Sequence, residues 1–312
     1  MSDIPFVHTS VLLKESVDGL NVRDSYTYVD CTTGGGGHSL EIARRMGKNG
    51  RLICFDRDEC ALKAAGERLA AYRDKITFIH DNFENIGTHL TALGIKNLGG
   101  VLADLGCSSP QFDNPERGFS YMHNARLDMR MDTTAPLDAY TVVNTYGEDE
   151  LRRIISEYGE ERFAGRIAAA IVRARENAPV EMTAELSDII KSAIPAAART
   201  DGPHPAKRTF QAIRIEVNKE LDAIAPTIRR ATDFLVSGGR IAMISFHSLE
   251  DRIIKDTYRE LSSGCICPRD FPVCVCGRKP VIRIVNKKPI LPTDTAENPR
   301  ARSAKLRIAE KI

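Results

Sequence analysis

The 312-residue chain has no tryptophan, no apolar run approaching the roughly 18 residues that a membrane span needs, and no basic-then-apolar leader in its opening MSDIPFVHTS. These absences point away from the membrane and secretion and towards a cytoplasmic protein. No internal repeat or low-complexity tract stands out. What remains is an ordinary globular composition, 42% hydrophobic and 28% charged. The length allows a full core and either one large domain or a domain with a big insertion.

A disulfide framework is not expected either. Eight cysteines would suggest one in a small secreted domain, but a long chain without a leader keeps reduced thiols by default. Cys31, Cys54, Cys60 and Cys107 lie singly in or beside apolar stretches, where a thiol behaves as a small hydrophobe. The other four form two C-x-C pairs in CICPRDFPVCVC, Cys265 with Cys267 and Cys274 with Cys276. Zinc sites more often space a pair by two or more residues. No metal is therefore assigned, and zinc stays open beside unligated thiols on a variable loop.

Strong net charge is also lacking, at +2, but its distribution is uneven: Arg278 to Ile312 carries +7 and the preceding residues −5. A basic C-terminal end suits a polyanion partner or simply a solvated surface.

Strand-like runs end in acids at Asp30 (SYTYVD), Asp56 (RLICFD), Asp81 (ITFIHD) and Asp104 (GVLAD), at intervals of 26, 25 and 23 residues. Each interval fits a strand, a helix and two short connections, so successive βα units and a parallel, doubly wound sheet are predicted. From about Asn114 to Leu235 strand signals are scarce and helical periodicity is strong. The sheet then resumes with GGRIAMISF, and VIRIV and KLRIA are expected to complete it as a hairpin-like pair. The fold class is thus α/β with a helical insertion: residues 1–113 and 235–312 form the sheet domain and residues 114–234 the insertion. Ser248 and Asp251 are expected to form a capping box at the start of HSLEDRIIKDTYREL.

Between the first strand and its helix stands TGGGGHS. Glycines there let a ligand approach the backbone at a helix N-terminus, although a flexible surface loop has the same look. The run lacks the Gly-Lys-Ser/Thr ending of a phosphate loop and fits the dinucleotide fingerprint poorly. A pyrophosphate beside Asp30 would meet like charge, whereas the sulfonium and ammonium of S-adenosylmethionine would be stabilised by it. Asp56 is placed to accept from ribose hydroxyls. Asp81 or Asn82 is a candidate adenine partner, and Phe83 a candidate apolar face. In DLGCSSPQFD, Asp104, Ser108, Ser109, Pro110 and Gln111 would face the donor, in a loose match to the acid-or-Asn, Pro, Pro, aromatic turn of enzymes that methylate exocyclic amines. A turn of that kind holds acceptors for the amine hydrogens. Ser108, Ser109 and His247 are the candidate catalytic residues; a helix-capping turn accounts for His247 equally well.

HTSVLLKESVDGL, GGGGHS, DLGCSSPQFD, RGFSY, LDMRMD, YGEERFAGRIAAAIV, RTFQAIRIEVNKEL, SFHSLEDR and ENPRARSAKLRIAE together resemble the RsmH (MraW) small-subunit ribosomal RNA methyltransferases, from His8 to about Glu310. The resemblance implies a class I methyltransferase sheet with a substrate-binding helical insertion. It implies S-adenosyl-L-methionine as cofactor, and methylation of N4 of one decoding-region cytidine in 16S ribosomal RNA within the small ribosomal subunit. Carried over, the cofactor contacts fall on Gly36, Gly37, His38, Asp56, Phe83, Asp104 and Gln111. In the insertion, Arg162, Arg166 and Arg173 would meet phosphates while Ile167 and Ile171 pack inward, as they would on a merely solvated amphipathic helix. HPAKRTF and NPRAR are further phosphate candidates. A nicotinamide-dependent oxidoreductase and an RNA-binding assembly factor without catalysis are the competing readings; Asp30 opposes the first and the intact glycine loop the second. The oligomeric state stays open, a homodimer included, as does the choice between naked RNA and assembled subunit.

Overall fold

The computed structural model describes residues 10–199, 204–265, 267, 271, 273, 275–293, 295 and 298–312. Seven strands, β1 Thr27–Asp30, β2 Arg51–Asp56, β3 Ile76–His80, β4 Leu98–Asp104, β5 Leu235–Ser245, β6 Ile282–Ile284 and β7 Lys305–Lys311, form one sheet in the order β3-β2-β1-β4-β5-β7-β6. The first five are parallel, and β7 runs antiparallel to both β5 and β6. This is the class I methyltransferase arrangement, as expected, with the predicted hairpin-like pair at one edge. The third strand ends at His80, one residue before the acid that was expected to close it.

Strand side chains alternate between two cores. Val29, Ile53, Phe55, Val101, Ala103, Ile241 and Met243 face one side. Tyr28, Leu52, Cys54, Leu102, Ala242 and Ile244 face the other. Both faces are covered by helices, which is why these strands read as continuous apolar runs rather than as alternation with polar residues. Strand order reverses between β1 and β4, and it is outside the carboxyl ends of such strands that open parallel sheets bind ligands. Among the described residues no helix is long and apolar enough to cross a membrane.

The chain divides into two compact units, Met1–Gly106 with Leu221–Ile312, and Cys107–Glu220. The second starts and ends earlier than the 114–234 insertion read from the sequence. Its helices Ala139–Thr145, Glu148–Glu157, Ala164–Arg175, Thr183–Ala193 and Lys207–Asn218 enclose their own core, with Val143, Ile154, Ile167, Leu186 and Phe210 buried. The helix Ile224–Phe234 belongs to the sheet unit instead, since Ile224, Ile228 and Ala231 pack with Phe83, Ile86 and Leu90. Its apolar periodicity equals that of the insertion helices. Only the surface it packs on assigns it.

The helix after β5, Ser248–Ser262, is capped one residue earlier than expected. His247 occupies the cap position, and Glu250 Oε2 accepts the backbone N–H groups of Phe246 (2.8 Å) and His247 (3.2 Å). Asp251 turns away to Arg307, which donates to its Oδ1 at 2.6 Å.

Candidate functional site

The glycine turn is built by its neighbours. Gly34 and Gly36 hold positive φ, +50° and +76°, which residues with a Cβ rarely adopt. A Cβ on Gly37 would collide with the Ser10 side chain, whereas one on Gly34 would project into open space. Asp56, at the end of β2, accepts the Gly34 N–H through Oδ2 at 2.7 Å and the Asp58 N–H through Oδ1 at 2.9 Å. Thr32 Oγ1 accepts the Asp104 N–H at 2.6 Å, which ties the end of β4 to the same turn.

Asp30 does not present its carboxylate to a ligand. It is fully buried, Oδ2 receives the Ser39 hydroxyl at 2.6 Å, and Oδ1 receives the Thr32 N–H at 3.1 Å. Asp104 Oδ1 is buried and has no hydrogen-bond partner among the described residues. Its Oδ2 lies 3.9 Å from Nδ1 of buried His38, whose Nε2 stands 3.1 Å from the Val11 carbonyl oxygen.

Three acids thus close adjacent strands under strain. Burial pushes the Asp30 carboxyl up to about 6, with a further contribution from Asp56. Burial likewise raises Asp56 to about 6. Asp104 is pushed well above the usual carboxylate range by burial, then by Asp30 and by Glu250. A cation or a set of donors at Asp104 would favour its ionised form, because an opposite charge offsets the cost of burying that carboxylate.

The other expected contacts are placed less directly. Phe83 opens a short 3₁₀ turn and is mostly buried in the core, with the Arg57 guanidinium 5.8 Å from its ring centroid. Asp81 is engaged by His89 Nε2 at 2.7 Å and by the Asn85 amide, so it braces a loop. Asn82 Oδ1 accepts the Glu84 N–H, a local cap. His247 Nε2 stands 3.2 Å from Glu250 Oε1 with both side chains largely enclosed. Ser108, Ser109 and Gln111 belong to the second unit. There Ser108 caps the helix Ser109–Asp113, and Gln111 Oε1 accepts the Ser108 N–H at 3.1 Å.

The sequence reading missed Thr32, Ser39 and Glu250. Ser39 was in view in GGGGHS, but nothing in a linear motif shows that its hydroxyl turns inward to Asp30. In the second unit it also missed Tyr121, whose ring stacks on His204 at 4.5 Å and meets Phe210 edge-on at 5.6 Å. Arg162, Arg166 and Arg173 are exposed while Ile167 and Ile171 are buried, as expected, although Arg162 precedes the helix and lies over Phe163 at 4.6 Å. Lys207 and Arg208 of HPAKRTF are exposed, and so are Arg300 and Arg302 of NPRAR. Of the clustered cysteines, Cys274 lies outside the described residues; the other three converge, as described below.

Residues 5–312 match the model of the MraW methylase family. The chain belongs to that family. It is 54% identical to the ribosomal RNA small subunit methyltransferase H of Clostridioides difficile over 98% of this chain and 99% of that one. To the protein of the same name in Brevibacillus brevis it is 52% identical over the whole of both chains. A more distant likeness is to an rRNA methylase from Streptococcus thermophilus, 11% identical with a TM-score of 0.44, covering 98% and 99% of the two chains. As an MraW methylase the chain takes S-adenosylmethionine as cofactor. Its residues fit that group. An orphaned buried carboxylate oxygen on Asp104 suits a cationic amino-acid moiety, and Gly34 leaves the turn open beside Asp56.

Proposed function

We propose that this protein methylates the N4 exocyclic amine of a single cytidine in the decoding region of 16S ribosomal RNA, acting in the cytoplasm on the small ribosomal subunit. The observation that carries the reading is the buried, unpartnered Oδ1 of Asp104 beside the glycine turn. A pyrophosphate would add negative charge to three carboxyls already raised by burial and mutual repulsion. A nicotinamide dinucleotide is therefore disfavoured here, and a cationic donor is favoured.

When bound, S-adenosylmethionine supplies an electrophilic methyl group on a sulfonium sulfur. Asp104 would hold the positive end of the donor, and Asp56 has lone pairs that would accept ribose hydroxyls beyond those given to Gly34 and Asp58. The cytosine amine is conjugated with its ring and is a poor nucleophile. Acceptors on this chain would draw its hydrogens out of the plane, turn the nitrogen lone pair towards the methyl group and pass one amine proton to solvent. We assign the acceptors to Leu105–Pro110, with the Ser108 and Ser109 hydroxyls as the side-chain contribution and His247 as a group that orients the base. Glu250 Oε1 stands 3.2 Å from Nε2 of that ring.

The helical unit binds the RNA in this reading. Arg162, Arg166 and Arg173 contact phosphates, and the stacked Tyr121 and His204 rings form a platform for an unpaired base. Reaching an amine in folded RNA requires the cytosine to be splayed out, which costs a few kcal/mol of unstacking.

The test is incubation with labelled S-adenosylmethionine and 30S particles from a strain lacking the enzyme, followed by nucleoside analysis. N4-methylated cytidine at one position is the expected product. Methylation at another atom or base would refute the assignment of the amine, and no transfer to any RNA would support the assembly-factor reading instead.

A further inference from the structure

In the segment joining the helix Ser248–Ser262 to β6, three of the described apolar side chains lie at the surface. Phe271, Val273 and Val275 are 50%, 69% and 74% exposed. Burial therefore does not gather its cysteines, which sit at the protein surface. Yet Cys265, Cys267 and Cys276 bring their Sγ atoms within 4.8 Å of one another. The Cys265 and Cys276 sulfurs are 3.7 Å apart. Two sulfurs sharing a tetrahedral zinc ion, each about 2.3 Å from it, stand about 3.8 Å apart, whereas a disulfide requires about 2.05 Å.

The backbone supports the same chemistry. The Cys267 N–H is directed at Cys265 Sγ and the Val275 N–H at Cys267 Sγ, both at 3.4 Å. Backbone N–H groups aimed at the sulfurs are the outer contacts that orient metal-ligating side chains. The three sulfurs converge on one point, as the ligands of a single ion do. An all-sulfur donor set is soft and selects zinc over magnesium or calcium.

The geometry points to a structural zinc site formed by Cys265, Cys267 and Cys276, which cross-links Cys265 and Cys267 to Cys276 at the protein surface. The tight spacing of Cys265 and Cys267 does not prevent this: their sulfurs lie together, and the returning chain brings Cys276 to them. The site is separate from the cofactor acids and does not depend on which RNA atom is methylated.

Protein purified without chelator under reducing conditions is expected to carry about one zinc per chain by plasma mass spectrometry. Cys265→Ser and Cys276→Ser should each lower that content at least fivefold. Replacement of the metal by cobalt in the unmutated chain should give a sulfur-to-cobalt charge-transfer band and the visible bands of tetrahedral cobalt. This readout does not depend on either variant folding. Zinc X-ray absorption should count at least three sulfur neighbours. Zinc content well below one per chain after reconstitution, a cobalt spectrum without thiolate bands, or a Cys265–Cys276 disulfide in reduced preparations would each overturn the assignment.

Discussion

The Ser39 hydroxyl donates to Asp30 Oδ2 across 2.6 Å in a fully buried setting. The contact joins the first turn of the helix Gly37–Arg45 to the end of β1 and thereby sets the path of the glycine turn between them. Ser39→Ala leaves that carboxyl with one donor fewer. It should cost about 1–3 kcal/mol of stability, read from urea melts at neutral pH, and push the Asp30 carboxyl further up. Unchanged stability would mean that the turn is held by other contacts.

Stability should fall as pH rises from about 4 to about 6. Asp30 and Asp56 titrate near 6 in the folded chain against 3.8 ordinarily. In that window the folded state binds more protons than the unfolded one, so stability is greatest below the unfolded pKa and is lost as pH rises through the folded value. Each group contributes of order 2–3 kcal/mol to the change. Asp30→Asn should flatten the profile of denaturation midpoint against pH, and a profile identical to wild type would refute the shift.

Asp104→Asn should weaken S-adenosylmethionine binding at least tenfold, the loss expected of a charge-assisted contact worth about 1.5–3 kcal/mol. The fold should survive, because the substitution relieves repulsion from Asp30 and Glu250. A cationic ligand prefers the ionised carboxyl, so wild-type affinity should rise with pH, and most of that dependence should vanish in the variant. Calorimetry at several pH values reads both. Equal affinities would place the positive end of the donor elsewhere.

Replacing Ser108 and Ser109 together by alanine should lower kcat about tenfold to a hundredfold with cofactor affinity unchanged, if their hydroxyls accept amine hydrogens. Circular dichroism checks the fold, since Ser108 also caps the helix Ser109–Asp113. Turnover at the wild-type rate would leave the task to backbone carbonyls alone.

Alanine at Arg162, Arg166 and Arg173 together should weaken association with small-subunit RNA and reduce the slope of log K against log salt by about 2, at roughly 0.7 per lost phosphate contact on single-stranded RNA. An unchanged slope in filter-binding titrations would make this face of the helix simply solvated.

Much of this protein is legible along the chain because its signals are local. Apolar strands closing in Asp30, Asp56 and Asp104 and the glycine run after β1 specify a parallel sheet with a ligand end, and the order of several long motifs specifies the family. Periodicity alone misplaced Ile224–Phe234, because an amphipathic helix shows one apolar face whichever core receives it. It also misread the cap at Glu250, since Ser248 and His247 are both able to precede a helix and only the buried position of Glu250 decides between them.

The amino-acid order by itself determined the fold class and, through the family it specifies, the cofactor, for the strand spacing and the order of the long motifs are local to the chain. Tertiary structure alone decided that Asp30 is an internal brace and that the acceptor without a donor among the described residues lies on Asp104. Which oxygen is left without a donor depends on how β1, β4 and the glycine turn are brought together, and not on any one of them.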